Sequence, residues 1–265
     1  MSLQIITNYA DAITSACGLD TDQAKTVVYW AIATHAIDKQ QKMPILTVTG
    51  PLNSGKSDLL TIIGQIVYQP RPIDGEVSSA ILRDKLEIYT TAIIEEADKV
   101  DEQLILKRYG RQTSNTEVNR GNTSQGFKRE PLNLFGATVL HRRVPFKDPA
   151  VDSRSITIKT IHKPGNYIMP SLNAVPLATL ASTVNWSLSL PLPQGRASDV
   201  WSPLFRVAAT YIDKVWLQYA AGEFKKSIAN LSVGQEYEPS QLVVSKLVSL
   251  AFSTDFNKLK PRKCH

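Results

Sequence analysis

Apolar residues recur at helical spacing near both ends of the chain, and they form short, nearly continuous runs in its middle. The spacing of three and four residues predicts helices over residues 3–16, 21–37, 58–67, 78–86, 99–110, 171–183, 198–221 and 239–252. The second helix opens with Asp20 and Gln23 arranged as a capping box. The continuous runs predict strands over residues 44–49, 90–94 and 132–140, and alternating apolar and polar residues predict another strand over residues 155–159.

This order of elements predicts an α/β fold, with a parallel sheet between helices and a C-terminal α-helical lid. We expect a helical preface over residues 1–40, a core over 41–168, and a helical lid with a C-terminal helical segment over 169–265. Residues 70–75 are rich in proline, aspartate and glycine, which indicates a turn. His35 lies inside the second helix, and we interpret it as a packed or capping residue.

The segment after the first predicted strand matches the pattern G-x-x-x-x-G-K-[ST] at every fixed position. Its residues are Gly50, Pro51, Leu52, Asn53, Ser54, Gly55, Lys56 and Ser57, and Asp58 follows directly. The glycines let backbone N–H groups curl around phosphates, and the next helix turns its positive end toward them. Lys56 would then neutralise phosphate charge while Ser57 ligates Mg²⁺. We therefore predict a nucleotide site; the alternative is a Gly-Ser turn before a surface lysine.

Two acids, Glu95 and Glu96, follow the apolar run over residues 90–94. A phosphate-loop ATPase needs such a pair on the neighbouring strand. Glu95 would hold a Mg²⁺-bound water, and Glu96 would orient and polarise the attacking water. The alternative interpretation is that both acids cap the following helix.

Composition narrows the function classes only slightly. The net charge of +6 and a pI near 9.2 suit contact with nucleic acid without requiring it. Cys17 and Cys264 lie far apart without metal-like spacing, which argues against a disulfide framework or a zinc site and indicates a reducing cytosol. No apolar run approaches the ~18 residues of a membrane span, and no signal pattern opens the chain, so we expect a cytoplasmic protein without a membrane partner.

The polar segment over residues 111–130 has the character of an exposed excursion. Residues 117–129 could form a β-hairpin with Arg120, Lys128 and Arg129 at or near its tip and Phe127 between them. Basic residues interleaved with an aromatic suit a nucleic-acid strand. A merely solvated loop explains the same composition equally well.

The order of these features resembles an AAA+ ATPase core with its lid, over about residues 40–222. More narrowly, the chain resembles the ATPase domains that follow primase modules in phage, plasmid and other mobile-element replication proteins. The narrower resemblance rests on four stretches: Ala33-Thr-His-Ala-Ile-Asp, Phe135-Gly-Ala-Thr, Asp152-Ser-Arg-Ser-Ile, and Arg196-Ala-Ser-Asp-Val-Trp-Ser-Pro-Leu.

The resemblance implies roles for three further residues. Thr138 would be the sensor at the end of the central strand, where it positions the lytic water. Arg154 would be the finger that reaches a neighbouring subunit's γ-phosphate. Arg196 would be the lid arginine that touches nucleotide within its own subunit, with Arg206 as the alternative. The chain departs from the family in having Glu95 in place of the usual Asp, in having no primase or zinc-binding module before the core, and in a C-terminal helix that resembles an interrupted winged-helix module.

These observations lead us to expect a Mg²⁺-dependent ATPase of a phage or mobile-element replication system. It would form a homo-oligomeric ring, expected to be a hexamer, act as a helicase-like motor on single-stranded or forked DNA, and could work with a separate primase. A small-molecule phosphotransferase and a nucleotide-regulated switch or scaffold are the alternatives. The Glu95–Glu96 pair argues against the phosphotransferase, because such kinases seldom need a water-activating acid there, whereas only turnover separates a switch from an ATPase.

Overall fold

A computed structural model describes residues 2–122, 126–161 and 168–231 of the protein, without the side chains of residues 119–122, 126–128 and 231. The helices in chain order are α1 (Ser2–Cys17), α2 (Thr21–Thr34), α3 (Lys56–Ile66), α4 (Ser79–Lys85), α5 (Glu102–Tyr109), α6 (Pro149–Asp152), α7 (Val175–Thr183), α8 (Arg196–Tyr211) and α9 (Lys214–Leu231). The strands are β1 (Ile45–Thr49), β2 (Pro70–Asp74), β3 (Thr91–Glu95), β4 (Asn115–Asn122), β5 (Gly126–Asn133), β6 (Ala137–His141) and β7 (Ser155–Lys159). The helix predicted over residues 239–252 lies outside the described residues.

Five parallel strands form the central sheet in the order β2-β3-β6-β1-β7. Leu46 of β1 pairs with Val139 of β6 on one side and with Ile156 of β7 on the other. The three central strands β3, β6 and β1 are buried along almost their whole length, because helices cover both faces of the sheet. The fold is therefore α/β, with a parallel sheet flanked by helices, and it is compatible with a phosphate-loop NTPase core.

Alternate residues of β1, β3 and β6 enter two separate apolar cores. Leu46, Val48 and Ile93 pack into the larger core, which also receives buried residues of α1, α2, α3, α7, α8 and α9. Ile45 and Ile94 pack on the opposite face with residues of α4, α5 and α6. Burying one such side chain stabilises the fold by about 1.5–3 kcal/mol. The preface helices and the C-terminal helices thus share one core with the sheet.

A buried ion pair joins the preface to the junction between α8 and α9. Lys25 Nζ lies 2.7 Å from Asp213 Oδ2, and the Tyr29 hydroxyl donates to the same oxygen at 2.7 Å. The ring of Trp216 packs edge-on against Tyr29, with 4.5 Å between the ring centroids. α2 therefore holds the C-terminal helices through a polar contact as well as through the shared core.

Several predicted elements have different bounds in the structure. The helix predicted over 198–221 is two helices, because Ile212 adopts a left-handed conformation at φ 56° and ends α8. Residues 99–110 form α5 only from Glu102, where the Asp101 carboxylate accepts from Gln103 N–H at 3.0 Å. The run over 132–140 is divided between the end of β5 and the start of β6.

Residues 70–75 were expected to form a turn, but Pro70–Asp74 is the edge strand β2. Its backbone pairs with β3 in parallel register from Pro70 opposite Thr91 to Asp74 opposite Glu95. Proline is tolerated in an edge strand because its missing N–H can face away from the sheet. The turn predicted from composition was therefore wrong, because pairing with β3 stabilises these residues as a strand.

Within the described ranges, no helix has both the length and the apolar character needed to cross a lipid bilayer.

Candidate nucleotide site

The loop over residues 50–57 connects the carboxyl end of β1 to the first turn of α3. A Cβ at Gly50 would lie 2.2 Å from Thr160 Oγ1, so only glycine fits there. Gly55 has a φ of 80°, a left-handed conformation that glycine adopts without strain. Glycine is thus required at position 50 because Thr160 lies so close, and it is favoured at position 55 because the backbone there is left-handed.

Hydrogen bonds hold the loop in shape from its concave side. The hydroxyl oxygens of Ser54 and Thr160 lie 2.6 Å apart, and the Ser54 hydroxyl donates to the Pro51 carbonyl at 2.8 Å. Thr160 is itself fixed to β1, because its backbone N–H donates to the Thr49 carbonyl at 2.8 Å. The residue after β7 therefore fixes the loop after β1.

The Lys56 ammonium is turned back into the loop. It donates to the carbonyls of Pro51 at 2.6 Å and Gly50 at 3.1 Å. An ammonium carries three donors, so this arrangement leaves one for a phosphate oxygen. Lys56 is buried, whereas the other motif side chains include several exposed ones: Pro51, Leu52, Asn53, Ser57 and Asp58. The Lys56 charge is thus held in place by the loop carbonyls, while neighbouring residues of the loop are exposed to solvent.

Glu95 and Glu96 lie at the carboxyl end of β3 and are exposed. The acids were expected on the strand next to β1. Instead, β6 lies between β3 and β1. Two strand spacings separate β3 from β1 by about 10 Å. The acids and the loop therefore both lie at the carboxyl edge of the sheet, which is where open α/β sheets bind ligands.

Glu96 has a left-handed backbone, with φ 49° and ψ 47°. This conformation is uncommon outside glycine, and a strained residue of this kind costs about 1–3 kcal/mol. The Glu96 N–H donates to His141 Nε2 at 3.2 Å, and the Glu96 carbonyl accepts from Asp98 N–H at 2.8 Å. The direction of the Glu96 side chain is therefore set by its neighbours rather than by local preference.

His141 also lies at this edge, and the sequence interpretation did not include it among the candidate site residues. It is the last residue of β6, it is 5% exposed, and its Nδ1 is buried without a hydrogen-bond partner. Burial lowers the pKa of His141, which the nearby Glu95 charge opposes and the Lys56 charge reinforces. His141 therefore lies between the lysine and the acids. A polar residue directly after the apolar run 137–140 was the available signal.

Thr138 does not lie at this edge. It is the second residue of β6, opposite Ala92, and is 1% exposed. Its hydroxyl accepts from Arg108 Nε at 3.1 Å. Because β6 begins at Ala137 rather than at residue 132, Thr138 falls near the amino end of the strand, and this placement does not support the expected sensor role.

Arg108 explains why a polar side chain, Thr138, is buried near the amino end of β6. It is fully buried and donates to four carbonyl oxygens at distances between 2.7 and 3.1 Å. These carbonyls belong to Glu87, Thr90, Leu134 and Ala137. Burial lowers the pKa of Arg108 to about 9. Thr138 thus completes the hydrogen bonding of a structural arginine.

Arg154 also lies away from the loop of its own chain. It directly precedes β7, whose Ser155 pairs with Ile45 at the start of β1. At about 3.3 Å per residue, the five residues from Ile45 to Gly50 span roughly 16 Å. Arg154 Nη1 donates to the Ala150 carbonyl at 2.7 Å, and its guanidinium lies 5.5 Å from the centre of the Tyr109 ring. Arg154 is therefore fixed at the amino end of the sheet.

Arg196, the first residue of α8, is near Arg154 rather than near the loop. Both line a cavity of about 710 Å³ together with Lys42 and Tyr109. Lys42 forms an ion pair with Asp199 of α8 there. The placement of Arg196 beside residues that precede β1 and β7 does not bring it to the nucleotide loop of its own subunit. Arg206, the alternative, donates to the Leu188 carbonyl at 3.2 Å.

β4 and β5 form the expected antiparallel hairpin, with Arg120 opposite Lys128 and Asn119 opposite Arg129. The Arg129 side chain is 79% exposed, 3.7 Å from the Glu117 carboxylate. The side chains of Arg120 and Lys128, and residues 123–125 at the tip, lie outside the described part of the structure. The hairpin is thus confirmed as an element, while its contact with nucleic acid stays a prediction.

Ser57 and Glu95 were expected to hold Mg²⁺, and both are exposed at the carboxyl edge. The described residues contain no group of three or more histidine, cysteine, aspartate or glutamate side chains that could hold a metal by themselves. Mg²⁺ usually takes one or two carboxylates and completes its shell with water and substrate phosphates. A hydroxyl and a carboxylate beside a phosphate loop fit that requirement.

No family model matches the chain, and no curated protein matches its sequence.

Proposed function

We propose that this protein is a Mg²⁺-dependent ATPase of the AAA+ type. The observation that carries the proposal is the carboxyl edge of the sheet, where the loop with Lys56 faces Glu95 and Glu96 across β6. Lys56 would bind the β- and γ-phosphates, and Ser57 with Glu95 would hold the metal. Bound Mg²⁺ would neutralise charge on the phosphate oxygens.

Hydrolysis is favoured over transfer to a small acceptor because an exposed carboxylate is held where water can reach it. Glu96 would accept a proton from water as the water oxygen forms its bond to the γ-phosphorus. The bond from that phosphorus to the β-phosphate bridging oxygen breaks, and ADP and phosphate leave. The His141 contact to the Glu96 backbone would fix the base in position, since proton transfer requires hydrogen-bond reach.

Three further features support the proposed AAA+ type. β6 lies between the loop strand and the acid strand, and α7 to α9 follow the sheet as a helical segment. Arg154 lies away from the phosphate loop of its own subunit, as expected of an arginine that completes the site of a neighbouring subunit. These features support an oligomer in which each subunit contributes to the next.

Action on DNA in the replication of a phage or mobile element is the wider part of the proposal. Its support is the positive net charge and the exposed hairpin with Arg129. Single-stranded or forked DNA is the expected partner, a hexameric ring the expected assembly, and a separate primase a further expected partner.

The test is release of phosphate from ATP by the purified protein, with and without Mg²⁺ and with single- or double-stranded DNA. Lys56→Ala should weaken ATP binding by about 10- to 100-fold, because a charge-assisted hydrogen bond to phosphate worth ~1.5–3 kcal/mol is lost. The matched control is Lys226→Ala, which removes a 72% exposed lysine from α9. Unchanged affinity in Lys56→Ala would contradict the site.

The same assay separates the alternatives. Tight ATP binding without turnover under any condition would identify a nucleotide-regulated switch or scaffold. ATP consumption only after a small acceptor is added would identify a phosphotransferase. Turnover stimulated by DNA supports the proposal in full, and turnover indifferent to DNA supports the ATPase without the DNA motor.

A further inference from the structure

A cavity at the amino end of the sheet gathers positive charge that the proposed hydrolysis within one subunit does not use. We call it the amino-edge pocket and define it by Lys42, Lys107, Tyr109, Arg154 and Arg196, which line a cavity of about 710 Å³. Among the described residues that line it, Asp199 alone carries a carboxylate, and that group is paired with Lys42. The two guanidinium groups therefore have no carboxylate partner in the pocket lining.

The positions of the two arginines are set by different elements. Arg154 is held between the Ala150 carbonyl and the face of Tyr109, which fixes its guanidinium at the end of α6. Arg196 enters from the first turn of α8, whose Asp199 reaches across to Lys42. Burial lowers the pKa of Arg154, and the charge of Arg196 lowers it further. Like charges held this close repel each other until an anion comes between them.

The anion cannot be the nucleotide of the same subunit. Arg154 is placed beside Ser155, opposite Ile45, whereas the loop follows the other end of β1. The roughly 16 Å between the two ends of the strand exceeds the reach of a guanidinium that is already bonded at Ala150. A phosphate group that enters the amino-edge pocket must therefore come from another molecule.

We propose that Arg196 acts with Arg154 in trans, so that both guanidinium groups bind the γ-phosphate held by the loop of a second copy of this chain. This inference rests on the proposed ATPase function and changes the role that the resemblance implied for Arg196, which was contact within its own subunit. Two planar forks that converge on one phosphate suit arginine better than lysine. The amino edge of one subunit would then face the carboxyl edge of the next, a head-to-tail contact that can close into a ring.

Subunit mixing tests the assignment, because it reports whether two residues serve the same site. Arg154→Ala and Arg196→Ala should each bind ATP like the parent in dilute solution and lose at least about 1,000-fold in turnover, the lower end of the range for such arginines. Either variant mixed with Lys56→Ala should regain activity, since an intact loop then meets an intact pair of arginines. Arg71→Ala on β2, which removes an exposed arginine paired with Glu87, is the control and should behave like the parent.

The decisive mixture is Arg154→Ala with Arg196→Ala. If both arginines serve one trans site, every interface in the mixture lacks one of them, and activity stays low. If Arg196 acts within its own subunit, the mixture creates complete interfaces and activity returns. Return of activity would overturn the inference while leaving the ATPase proposal intact.

Two other outcomes also decide the question. Full turnover in Arg196→Ala with weakened DNA binding would assign the pocket to the DNA backbone and overturn the inference. A parent protein that never hydrolyses ATP would overturn the proposed function and this inference with it. Arg196→Lys should recover only part of the lost turnover, because an ammonium presents a point charge rather than a fork.

Discussion

Glu96 shows how much the site depends on the conformation of one residue. Its left-handed backbone is held from both sides, through its N–H by His141 and through its carbonyl by Asp98. Gly75 packs directly against this turn, and a Cβ there would lie 2.6 Å from the Glu96 carbonyl oxygen. The carboxylate is thus aimed by backbone contacts, which leaves the side chain itself available to bind water.

Glu96→Gln should retain ATP binding and lower turnover by at least about 100-fold, the usual scale for losing a positioned base. Glu95→Gln should instead weaken binding in a Mg²⁺-dependent way, because it removes the predicted metal ligand. ATP affinity and turnover measured across a Mg²⁺ titration would distinguish the two. Exchanged phenotypes would mean that the roles of the acids are reversed.

His141→Ala should leave ATP affinity near that of the parent and lower turnover by at least about tenfold, since a misplacement of ~1 Å can cost ~100-fold. The reason is that the Glu96 N–H loses its acceptor. His141→Gln is the matched control, because its amide oxygen can accept the same hydrogen bond, and it should recover most of the activity. Equal losses in both variants would contradict a positioning role through the backbone.

At the scale of elements, the hairpin of β4 and β5 is the element that we propose contacts a strand of DNA. Replacing Arg120, Lys128 and Arg129 together by alanine should weaken DNA binding at low salt. The slope of log affinity against log salt should fall by about two to three units, because each lost phosphate contact removes ~0.7–0.9. Basal ATP hydrolysis should persist, since the hairpin lies outside the nucleotide site.

The control for the hairpin variant removes the same charge elsewhere. Arg71, Lys99 and Lys226 are exposed basic residues on other elements, and each pairs with a surface carboxylate. Their triple alanine variant should keep the salt slope of the parent. A common slope for the two triple variants would return the hairpin to the solvated-loop interpretation.

The contact between α2 and the α8–α9 junction is a buried polar attachment of the C-terminal helices. Asp213→Ala should lower the free energy of unfolding by about 3–5 kcal/mol, because it leaves the buried Lys25 charge without its partner. Glu223→Ala breaks the exposed pair with Lys226 on α9 and should cost less than about 1 kcal/mol. Chemical denaturation of both variants provides the comparison, and similar losses would show that the buried pair has no special role.

At the scale of the whole molecule, the proposed assembly requires the two ends of the sheet to carry complementary halves of one site. The carboxyl edge holds the phosphate loop and the acids, and the amino edge holds the arginines. This separation has a consequence for kinetics. An isolated subunit would bind nucleotide with one half and lack the other, so turnover per subunit should rise with protein concentration.

Arg154→Ala should bind ATP normally and hydrolyse it poorly at every protein concentration. Mixing it with Glu96→Gln should restore part of the turnover, because some interfaces then combine an intact Glu96 with an intact Arg154. Rates of each variant alone and of the mixture, followed across protein concentration, give the measurement. A fully active Arg154→Ala monomer would rule out the trans role.

The sequence predicted the parts of the site that are contiguous in the chain. The loop with Lys56 and the acids Glu95 and Glu96 each follow a short apolar strand, and local pattern is enough to place them. The order of the strands could not be read in this way, because pairing depends on contacts between distant segments. Strand order and register place His141, rather than Thr138, at the carboxyl edge. They also place Arg154 near Arg196.

The prolines of β2 have a consequence for how copies of the chain meet. The Gln69 carbonyl accepts from Thr91 N–H, and the Gly75 N–H donates to the Glu95 carbonyl. The backbone N–H and C=O groups of the odd-numbered residues of this strand therefore point toward β3. The backbone of Pro70 and Pro72 therefore faces outward, where proline offers no N–H. An approaching strand would find two donors missing along this margin, which protects the sheet from edge-to-edge aggregation. Newly made chains at high concentration are thereby kept from joining into continuous sheets through β2.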